Sequence, residues 1–475
     1  MMSIKVYNTL TGKKEVLQPV EEGKIRMYVC GPTVYDLSHI GHARSAVSFD
    51  VIYRYLAYRG FDVNYTRNYT DIDDKIIARA NKDGTDWREI AERYIKAFDE
   101  DMEALGVVLP THRPRATETM DKIIELIEVL IQKGYAYVTD GDVYYSVRRF
   151  ADYGKLSGKN IEELESGARV EVDERKKDPL DFALWKASKP GEPWWTSPWG
   201  RGRPGWHIEC SAMCLKWLGT TIDIHGGGKD LVFPHHENEV AQSEAATGKP
   251  FARYWLHNGF VNIEKEKMSK SLGNILNIRD VLRGHTSESV RLFLLSSHYR
   301  SPIDYSEDSL REAEAKAERF YRTLDRIEKE RPETSKTAVD KGIEEELMAP
   351  ILEAMDDDFN TAAAIGKVFE EVTRANRLMD RGDEAAGMEL RAMLSVFKKT
   401  AGFLGVFGKR PQEYFDERKE RVALPAEEIE RLIEERNEAR RNRDYRRADA
   451  IRDELKDKGI ILEDRPDGTV WTVRG

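Results

Sequence analysis

Residues 24–69 read KIRMYVCGPTVYDLSHIGHARSAVSFDVIYRYLAYRGFDVNYTRNY. Short apolar and β-branched runs at 25–30 and 61–69 predict two strands. The segment between them has helical spacing and ends at Gly60, which predicts a helix. Strand, helix and strand in this order indicate a parallel sheet. Cys30 closes the first run, and a cysteine at this place is a packing residue, a nucleophile or a metal ligand.

Length and composition limit the remaining choices. The chain has 475 residues, with 40% hydrophobic and 34% charged, so it exceeds the roughly 250–300 residues of a single core and predicts about three domains. No run approaches the ~18 apolar residues of a membrane span, and MMSIKVYNTL is not a signal peptide. Three cysteines are too few for a disulfide framework, so we expect a cytoplasmic protein. A net charge of −10 argues against a coat of nucleic acid but leaves room for local basic patches.

The pattern along the chain changes several times after residue 110. A helical run at 119–134 leads to alternating residues around Asp140-Gly141, which predict a hairpin. TTIDIHGGG at 220–228 resumes the pattern of buried strands, and helical spacing dominates beyond Ser306. The expected fold class is α/β, with a parallel-sheet domain split by an insertion, then an α-helical bundle and a small mixed α/β domain. The predicted segments are 1–110 and 201–305 for the split domain, 111–200 for the insertion, 306–410 for the bundle and 411–475 for a linker and the small domain.

One basic segment lies near the C-terminus. Its arginines, on a predicted helix, are Arg436, Arg440, Arg441, Arg443, Arg446, Arg447 and Arg452. A solvated charged helix is the better interpretation of this run taken alone. Trp471, in a predicted terminal hairpin, is open to two interpretations, stacking on a base or burial in the small domain.

Two further stretches bear on Cys30. GWHIECSAMC contains Cys210, and FPHHENE contains His235 and Glu239, four residues apart and therefore on one helix face. Two thiolates, an imidazole and a carboxylate suit a tetrahedral zinc site. The ligands come from three distant segments, so burial as an inert thiol stays open for Cys30. Competing ligands in the same stretches are Cys214, His236 and Glu237.

Two other motifs suit phosphate. His39-Ile40-Gly41-His42 lies between a predicted strand and a predicted helix, where backbone N–H groups attract anions and glycine permits close approach. Lys267 and Lys270, in KMSKS, place paired ammonium groups on a loop that suits a polyphosphate. Histidines satisfied by the backbone and a solvated basic loop are the ordinary alternatives.

HIGH and KMSKS occur together, in that order, on either side of an insertion, and this conjunction resembles class I aminoacyl-tRNA synthetases. Within that class, YVCGPTVYDLSHIGH, RNYTDIDDKII, GWHIECSAM, GGGKDLVFPHHENE and KMSKSLGN resemble the cysteinyl-tRNA synthetase family. The resemblance runs from about Ile4 to the C-terminus, including ADAIRDELKDKGIILED.

The resemblance implies a Rossmann-like catalytic domain and a two-step reaction. L-cysteine would be activated by ATP to cysteinyl-adenylate and then transferred to the 3′-terminal adenosine of tRNA(Cys), releasing AMP and pyrophosphate. One Zn2+ per chain, Mg2+ with the ATP, a monomer, and tRNA contacts by the bundle and the terminal domain are also implied. Zinc would separate cysteine's thiol from serine's hydroxyl, so we expect no editing domain.

The resemblance also assigns roles residue by residue. The implied zinc ligands are Cys30, Cys210, His235 and Glu239. The implied catalytic residues are His39, His42, Lys267 and Lys270, which together with Gly41 and Asp230 would bind ATP. The implied cysteine-binding residues are Thr70, Trp206 and His225.

Two alternative functions compete with this one. A cysteine-activating ligase that passes cysteine to a small-molecule amine would share the site, but such relatives are shorter at the C-terminus. A catalytically inactive paralogue that binds RNA or zinc would have no reason to keep His39, His42, Lys267 and Lys270 together.

Overall fold

The computed structural model describes residues 3–160, 175–263, 266–267, 275–330, 338–421, 424–465 and 468–473. Within these residues the strands are β1 (Lys5–Asn8), β2 (Lys13–Val16), β3 (Lys24–Val29), β4 (Asp62–Arg67), β5 (Ala136–Thr139), β6 (Asp142–Tyr145), β7 (Phe182–Ala187), β8 (Trp195–Ser197), β9 (Gly200–Pro204), β10 (Ile222–Gly228), β11 (Ala252–Asn258), β12 (Val261–Ile263), β13 (Glu266–Lys267), β14 (Ile303–Tyr305), β15 (Ile460–Arg465) and β16 (Gly468–Val473).

The helices, within the same described residues, are α1 (Ile40–Tyr58), α2 (Asp74–Asp83), α3 (Trp87–Ala104), α4 (Met120–Gln132), α5 (Trp206–Trp217), α6 (Glu237–Thr247), α7 (Ile278–Gly284), α8 (Ser287–Leu295), α9 (Glu307–Glu330), α10 (Lys341–Asp356), α11 (Thr361–Arg381), α12 (Glu384–Leu404), α13 (Pro411–Glu420), α14 (Ala426–Arg441) and α15 (Tyr445–Asp457). None of the helices so described is long and apolar enough to cross a membrane.

A parallel sheet in the order β11-β10-β3-β4 carries the site. Met27 lies opposite Ile224 on one neighbouring strand and Tyr65 on the other. The predicted strand–helix–strand unit is confirmed as β3, α1 and β4, and α1 packs so closely on the sheet that a Cβ added to Gly226 would overlap the Phe49 ring. The carboxyl ends of all strands meet at one edge, where open α/β sheets bind their ligands.

An antiparallel sheet in the order β5-β6-β7-β9-β8 lies in sequence between the two pairs of parallel strands. The predicted hairpin is confirmed, since Asp140 and Gly141 join β5 to β6 with φ of 51° and 85°. Positive φ at both positions is the property of a type I′ turn. The sheet continues to Pro204, four residues past the boundary expected at 200, and the segment boundaries themselves stay a prediction.

The chain divides into two compact units. One comprises Met1–Asn277, Ser297–Asp304 and Leu352–Ala364, and it contains the parallel sheet and the antiparallel sheet. The other comprises Ile278–Ser296, Tyr305–Ile351 and Ile365–Gly475. In its described residues this second unit is built of α7–α9, α10 up to Ile351, α11 from Ile365, α12–α15 and the hairpin of β15 and β16, which agrees with the predicted helical pattern and terminal hairpin.

The terminal hairpin packs on α14 and α15 around buried apolar side chains that include Trp471. The Trp471 Nε1–H donates a hydrogen bond to Glu430 at 2.9 Å, so burial, rather than stacking on a base, describes this ring. The expectation of a uniformly solvated arginine helix is wrong at Arg436, which is 3% exposed. Asp464 on β15 draws it inward, accepting bonds of 2.8 and 2.9 Å from its guanidinium.

Candidate active site

The predicted metal ligands converge in a buried cluster at the carboxyl edge of the parallel sheet. Cys30 follows β3, Cys210 lies on α5, His235 precedes α6 and Glu239 lies in the first turn of α6. The Cys30 Sγ is 3.8 Å from the Cys210 Sγ and 3.4 Å from the Glu239 Oε1, and His235 Nε2 is 3.0 Å from the same oxygen. One ligand atom from each of the four residues lies within 4.8 Å of the others, close enough to share an ion.

The loop after β3 explains how Cys30 reaches this place. Its backbone N–H donates to the Gly226 carbonyl at 3.0 Å, which continues the pairing of β3 with β10 past the end of the strand. The next residue, Gly31, donates its N–H to the Asn68 Oδ1 at 2.8 Å. A Cβ on Gly31 would overlap the Asn68 backbone carbonyl oxygen, so only glycine fits this crossing of the two loops.

His236 offers an alternative ligand set. Cys30, His225, His236 and Glu239 also place one ligand atom each within 4.8 Å of one another. The His236 Nε2 is 3.3 Å from the Cys30 Sγ, while its Nδ1 is 2.8 Å from the His257 Nε2. The two sets share Cys30 and Glu239, and they differ in whether Cys210 contributes a second sulfur.

The other two competing residues have different surroundings. Glu237 is fully buried, but its carboxylate accepts the Gly154 and Ser157 N–H groups at 2.9 and 2.8 Å and so anchors that loop. Cys214 is buried on α5 and belongs to neither ligand set, and burial raises the pKa of its thiol well above the ordinary value.

The electrostatics of the cluster favour a cation. Burial raises the pKa of Cys30, whereas the hydrogen bond from Cys30 lowers the pKa of Cys210 to about 6. Burial opposes ionisation of Glu239, yet His225 and His235 hold its pKa well below the usual value. Burial likewise lowers the pKa of His235, but the Glu239 carboxylate outweighs it and raises that pKa to about 10. A metal ion bound by these groups would displace the protons that they hold without it, so metal binding here is linked to pH.

A cleft of about 360 Å³ opens beside the cluster. Its lining includes Cys30, His39, Gly41, His42, Trp206 and Asp230, which the sequence assigned to the metal, to ATP and to cysteine. Trp206 is 38% exposed, and its ring stacks on that of His235 with centroids 4.2 Å apart. It therefore forms a wall between the cleft and a metal ligand.

The HIGH residues form the start of α1 rather than a free loop. His39 is the N-cap residue, and its ring stacks on that of His42 with centroids 3.8 Å apart. The His39 backbone N–H donates to the His42 Nδ1 at 3.2 Å. This fixes both rings at the helix N-terminus, where the cleft passes, in agreement with the predicted anion-binding position.

The remaining predicted residues are placed differently. Thr70 and His225 are buried and are not among the described residues that line the cleft. His225 donates through Nε2 to the Glu239 Oε2 at 2.8 Å. This hydrogen bond holds the orientation of a candidate metal ligand. Lys270 lies outside the described residues, and of Lys267 only the backbone, in β13, is described.

Sequence reasoning missed His207, His257 and Glu209. The His207 Nδ1 is 2.9 Å from the His235 Nδ1, and the His257 Nδ1 is 2.8 Å from the Thr9 hydroxyl. A signal existed for each, since His257 falls near the carboxyl end of β11 and the other two stand beside Trp206 and Cys210 in one motif.

Family models match most of the chain. Residues 16–315 match the model described as tRNA synthetases class I (C) catalytic domain, 351–408 the DALR domain and 423–471 the cysteinyl-tRNA ligase anticodon binding domain. The chain is 56% identical over 487 residues to a cysteine–tRNA ligase of Geobacter metallireducens, with 100% of both chains covered. The chain belongs to the cysteinyl-tRNA synthetase family. A cysteine–tRNA ligase of Thermodesulfovibrio yellowstonii is also 56% identical, over 486 residues, covering 99% of this chain and 100% of that one.

Solved structures support the fold of this cysteinyl-tRNA synthetase family member. A Mycobacterium tuberculosis methionyl-tRNA synthetase with methionyl-adenylate matches with a TM-score of 0.61 at 17% identity, covering 83% of this chain and 93% of that one. A leucyl enzyme of Agrobacterium radiobacter, in a ternary complex with tRNA, gives 0.60 at 13% identity, covering 84% and 86%. The predicted α/β class is confirmed. The full-length match, which includes the anticodon-binding domain, does not support a ligase that passes cysteine to a small amine.

Proposed function

We propose that the chain activates L-cysteine with ATP and transfers it to the 3′-terminal adenosine of tRNA(Cys). The observation that carries this proposal is the buried cluster of two cysteines, a histidine and a glutamate, which opens onto a cleft that also contains the HIGH residues. A metal bound by two sulfur ligands would recognise the thiol of cysteine, and the N-terminus of α1 would bind the phosphates of ATP. The reaction needs both kinds of recognition.

Zinc is the proposed metal, held by Cys30, Cys210, His235 and Glu239. This set supplies two sulfur donors, whereas the alternative set with His225 and His236 supplies one, and zinc favours the softer set. The bound Zn2+ would lower the pKa of the substrate thiol and bind the thiolate, which serine's hydroxyl cannot match at neutral pH. Trp206 would close the side of the pocket, and Thr70 would take the amino group.

The residues along the cleft would then position ATP. His39 and His42 would hydrogen-bond its phosphates at the start of α1, with Gly41 allowing close approach and Asp230 holding the ribose. The cysteine carboxylate attacks the α-phosphorus, the bond to pyrophosphate breaks, and the tRNA ribose hydroxyl later displaces AMP from the carbonyl. Neither step requires a protein nucleophile, so catalysis consists of positioning and charge stabilisation.

Lys267 and Lys270 would close on the phosphates from the opposite side, with Mg2+ accompanying the ATP. Segments 306–410 and 411–475 would contact the tRNA. Exposed arginines of the terminal domain, Arg441, Arg443, Arg446 and Arg452, are suited to its phosphates. A monomeric state and a cytoplasmic location stay predictions from the sequence.

The test is charging of total tRNA with labelled cysteine by zinc-loaded protein, measured beside cysteine-dependent pyrophosphate exchange. Both signals are expected, with neither given by serine. Exchange without charging of a competent tRNA would exclude tRNA as the acceptor, and absence of both would reject the proposal. Lys270→Ala is expected to slow exchange by ~10²-fold or more while zinc content stays unchanged. Unchanged exchange in that variant would remove its assigned role.

A further inference from the structure

Arg67 is a buried cation in the lining of the cleft, and the proposed function gives it no role so far. It is the last residue of β4, it lies opposite Val29 of β3, and it contributes to the surface of the cleft. Only 6% of it is exposed, so its charge is largely removed from water. A buried charge is costly unless an opposite charge and hydrogen bonds compensate it.

The side chain of Arg67 lies on the face of the parallel sheet that α1 covers. Successive side chains of a strand point to opposite faces, so Arg67 shares its face with Tyr65. The Tyr65 ring packs against that of Tyr53 on α1, with centroids 5.6 Å apart. His42 and Ser45, at the start of the same helix, also line the cleft. Arg67 therefore approaches the cleft beside the start of α1, where the phosphates of ATP are proposed to bind.

No carboxylate among the described residues forms an ion pair with Arg67, and its Nε has no hydrogen-bond partner there. Its neighbours Tyr65 and Phe98 are uncharged at neutral pH, and the Phe98 ring centre lies 5.6 Å from the Arg67 Cζ. Asp99 lines a small cavity together with Arg67, but its carboxylate binds the Arg113 guanidinium at 3.0 Å instead. The compensating anion is therefore to be sought among the ligands of the cleft.

Lys75 adds a second positive charge to the lining of the cleft, and within the described part of the chain it forms no ion pair. The described lining contains two carboxylates. Asp36 faces the Arg79 guanidinium at 3.7 Å, and Asp230 is the residue proposed to hold the ribose. Positive charge thus remains uncompensated on this side of the cleft, and it attracts anions.

We propose that Arg67 binds a phosphate group of a ligand that enters the cleft. Its planar guanidinium can donate two parallel hydrogen bonds to one phosphate, a geometry for which arginine is better suited than lysine. Two ligands of the proposed reaction carry phosphate, namely ATP and the 3′ end of the tRNA. This inference rests on the proposed function, and it adds a binding residue on β4 to those proposed on α1.

The test uses Arg67→Gln, which removes the charge and keeps a polar side chain. Pyrophosphate exchange gives the KM values for ATP and cysteine, with adenosine, which has no phosphate, as a competitive inhibitor. Charging gives the KM for tRNA and its dependence on salt. Arg291→Gln is the matched control, because Arg291 is 2% exposed, belongs to the other compact unit and donates to the Leu404 carbonyl at 3.0 Å.

R67Q is expected to raise the KM of the ligand whose phosphate it binds by ~10- to 100-fold, the effect of losing a hydrogen bond to a charged group. If that ligand is ATP, its KM rises while the adenosine Ki and the cysteine KM keep their wild-type values. If it is tRNA, exchange stays normal, the tRNA KM rises, and the slope of log KM against log salt falls by about 0.7, the value for one contact to a single strand. Unchanged KM values for both ATP and tRNA would overturn the inference. A rise confined to cysteine would also overturn it, because the anion would then be the cysteine carboxylate.

Thermal unfolding of the ligand-free protein separates this role from a structural one. R67Q removes a charge that has no ion-pair partner in the described protein, so its Tm should equal or exceed that of wild type, whereas R291Q should lower the Tm and leave every KM unchanged. A lower Tm in R67Q with wild-type KM values would overturn the inference. Arg67→Lys covers the case in which R67Q does not fold. It keeps the charge without the two parallel hydrogen bonds, so it should raise the same KM to a smaller extent, and wild-type KM values for ATP and tRNA would again overturn the inference. Failure of the proposed function would be recognised separately, as wild-type protein without cysteine-dependent exchange.

Discussion

Glu239→Gln tests the metal centre by exchanging a single heavy atom, a carboxylate oxygen for an amide nitrogen. The Glu239 side chain is fully buried, with its Oε2 accepting from His225 at 2.8 Å and its Oε1 lying 3.0 Å from the His235 Nε2. Glutamine has almost the same shape but only one acceptor oxygen, so one histidine must face an N–H₂ group. The substitution also removes a buried negative charge that would face the metal.

The loss can be scaled from these contacts. A hydrogen bond to a charged group contributes about 1.5–3 kcal/mol, and every ~1.4 kcal/mol is tenfold in an equilibrium constant. Loss of one such bond to Glu239 predicts zinc binding weakened by ~10- to 100-fold. The weaker donation of an amide oxygen to the metal acts in the same direction, so we expect the upper end of that range.

Glu237→Gln is the matched control, because both glutamates are fully buried on α6 two residues apart. The Glu237 carboxylate holds the N–H groups of the loop at 154–157 instead of the cluster. E237Q should lower the free energy of unfolding by about 1–3 kcal/mol and leave zinc affinity unchanged.

The assay is titration of metal-free protein with zinc in competition with a chromophoric chelator, beside thermal unfolding of the zinc-loaded forms. Wild-type zinc affinity in E239Q would refute the assignment of Glu239 as a ligand. Equal loss of zinc affinity in both variants would show that the fold of α6, rather than the ligand, had been disturbed.

Three further tests are informative. Cys210→Ser should lose zinc while Cys214→Ser keeps it, as measured by elemental analysis of purified protein, and a zinc-replete C210S would favour the alternative ligand set with His225 and His236. Gly31→Ala should lower both Tm and zinc affinity, because the added Cβ overlaps a backbone carbonyl, and an unchanged melt would show that the loop shifts freely. Asp464→Asn should cost about 1–2 kcal/mol in urea unfolding near pH 7, since it removes the negative charge and one of the two acceptor oxygens that bind buried Arg436. The hydrogen bond from Arg436 lowers the pKa of Asp464, so this stabilisation exists above its unfolded pKa of about 3.9 and is lost as the pH falls below it. A gap between wild type and D464N that does not narrow below about pH 4 would contradict this reasoning.

Much of the fold could be predicted because its signals are local. The strand–helix–strand unit at the start and the hairpin at Asp140-Gly141 are both specified by residues that are neighbours in the chain. The strand pairing in the rest of the antiparallel sheet could not be predicted from such local signals. β7 pairs with both β6 and β9, across long sequence separations, and β9 reads GRGRP, with no alternation of apolar and polar residues.

The burial of Arg436 shows the same limit at the level of one side chain. The local pattern is that of an exposed basic helix, and its neighbours Arg440 and Arg441 are exposed. Arg436 is buried because its guanidinium binds Asp464, and Asp464 lies on β15, outside the helical segment. A partner distant in sequence overrides local charge patterning here.

For the candidate site, the motifs identified the residue types, and the structure places Glu237 and Cys214 outside both ligand sets while His235 and His236 each belong to one. His235 and His236 are consecutive in FPHHENE, and Glu237 and Glu239 are separated by one residue. The residue types alone therefore could not say which histidine and which glutamate are the metal ligands. The direction of each side chain is set by the short irregular turn at 232–236 that precedes α6. No periodic pattern encodes such a turn, so the sequence alone could not say which of these side chains face the cluster.

The same segment separates stability from chemistry. The Glu237 carboxylate accepts hydrogen bonds from backbone amides of a loop. The Glu239 carboxylate instead contacts the side chains of two histidines. A buried carboxylate paired with amides stabilises the fold without a ligand, whereas one that shares a cavity with a thiolate requires a proton or a cation there. Substitutions at the first should therefore appear in unfolding before they appear in catalysis, and substitutions at the second should change zinc affinity and thiol selectivity while much of the stability remains.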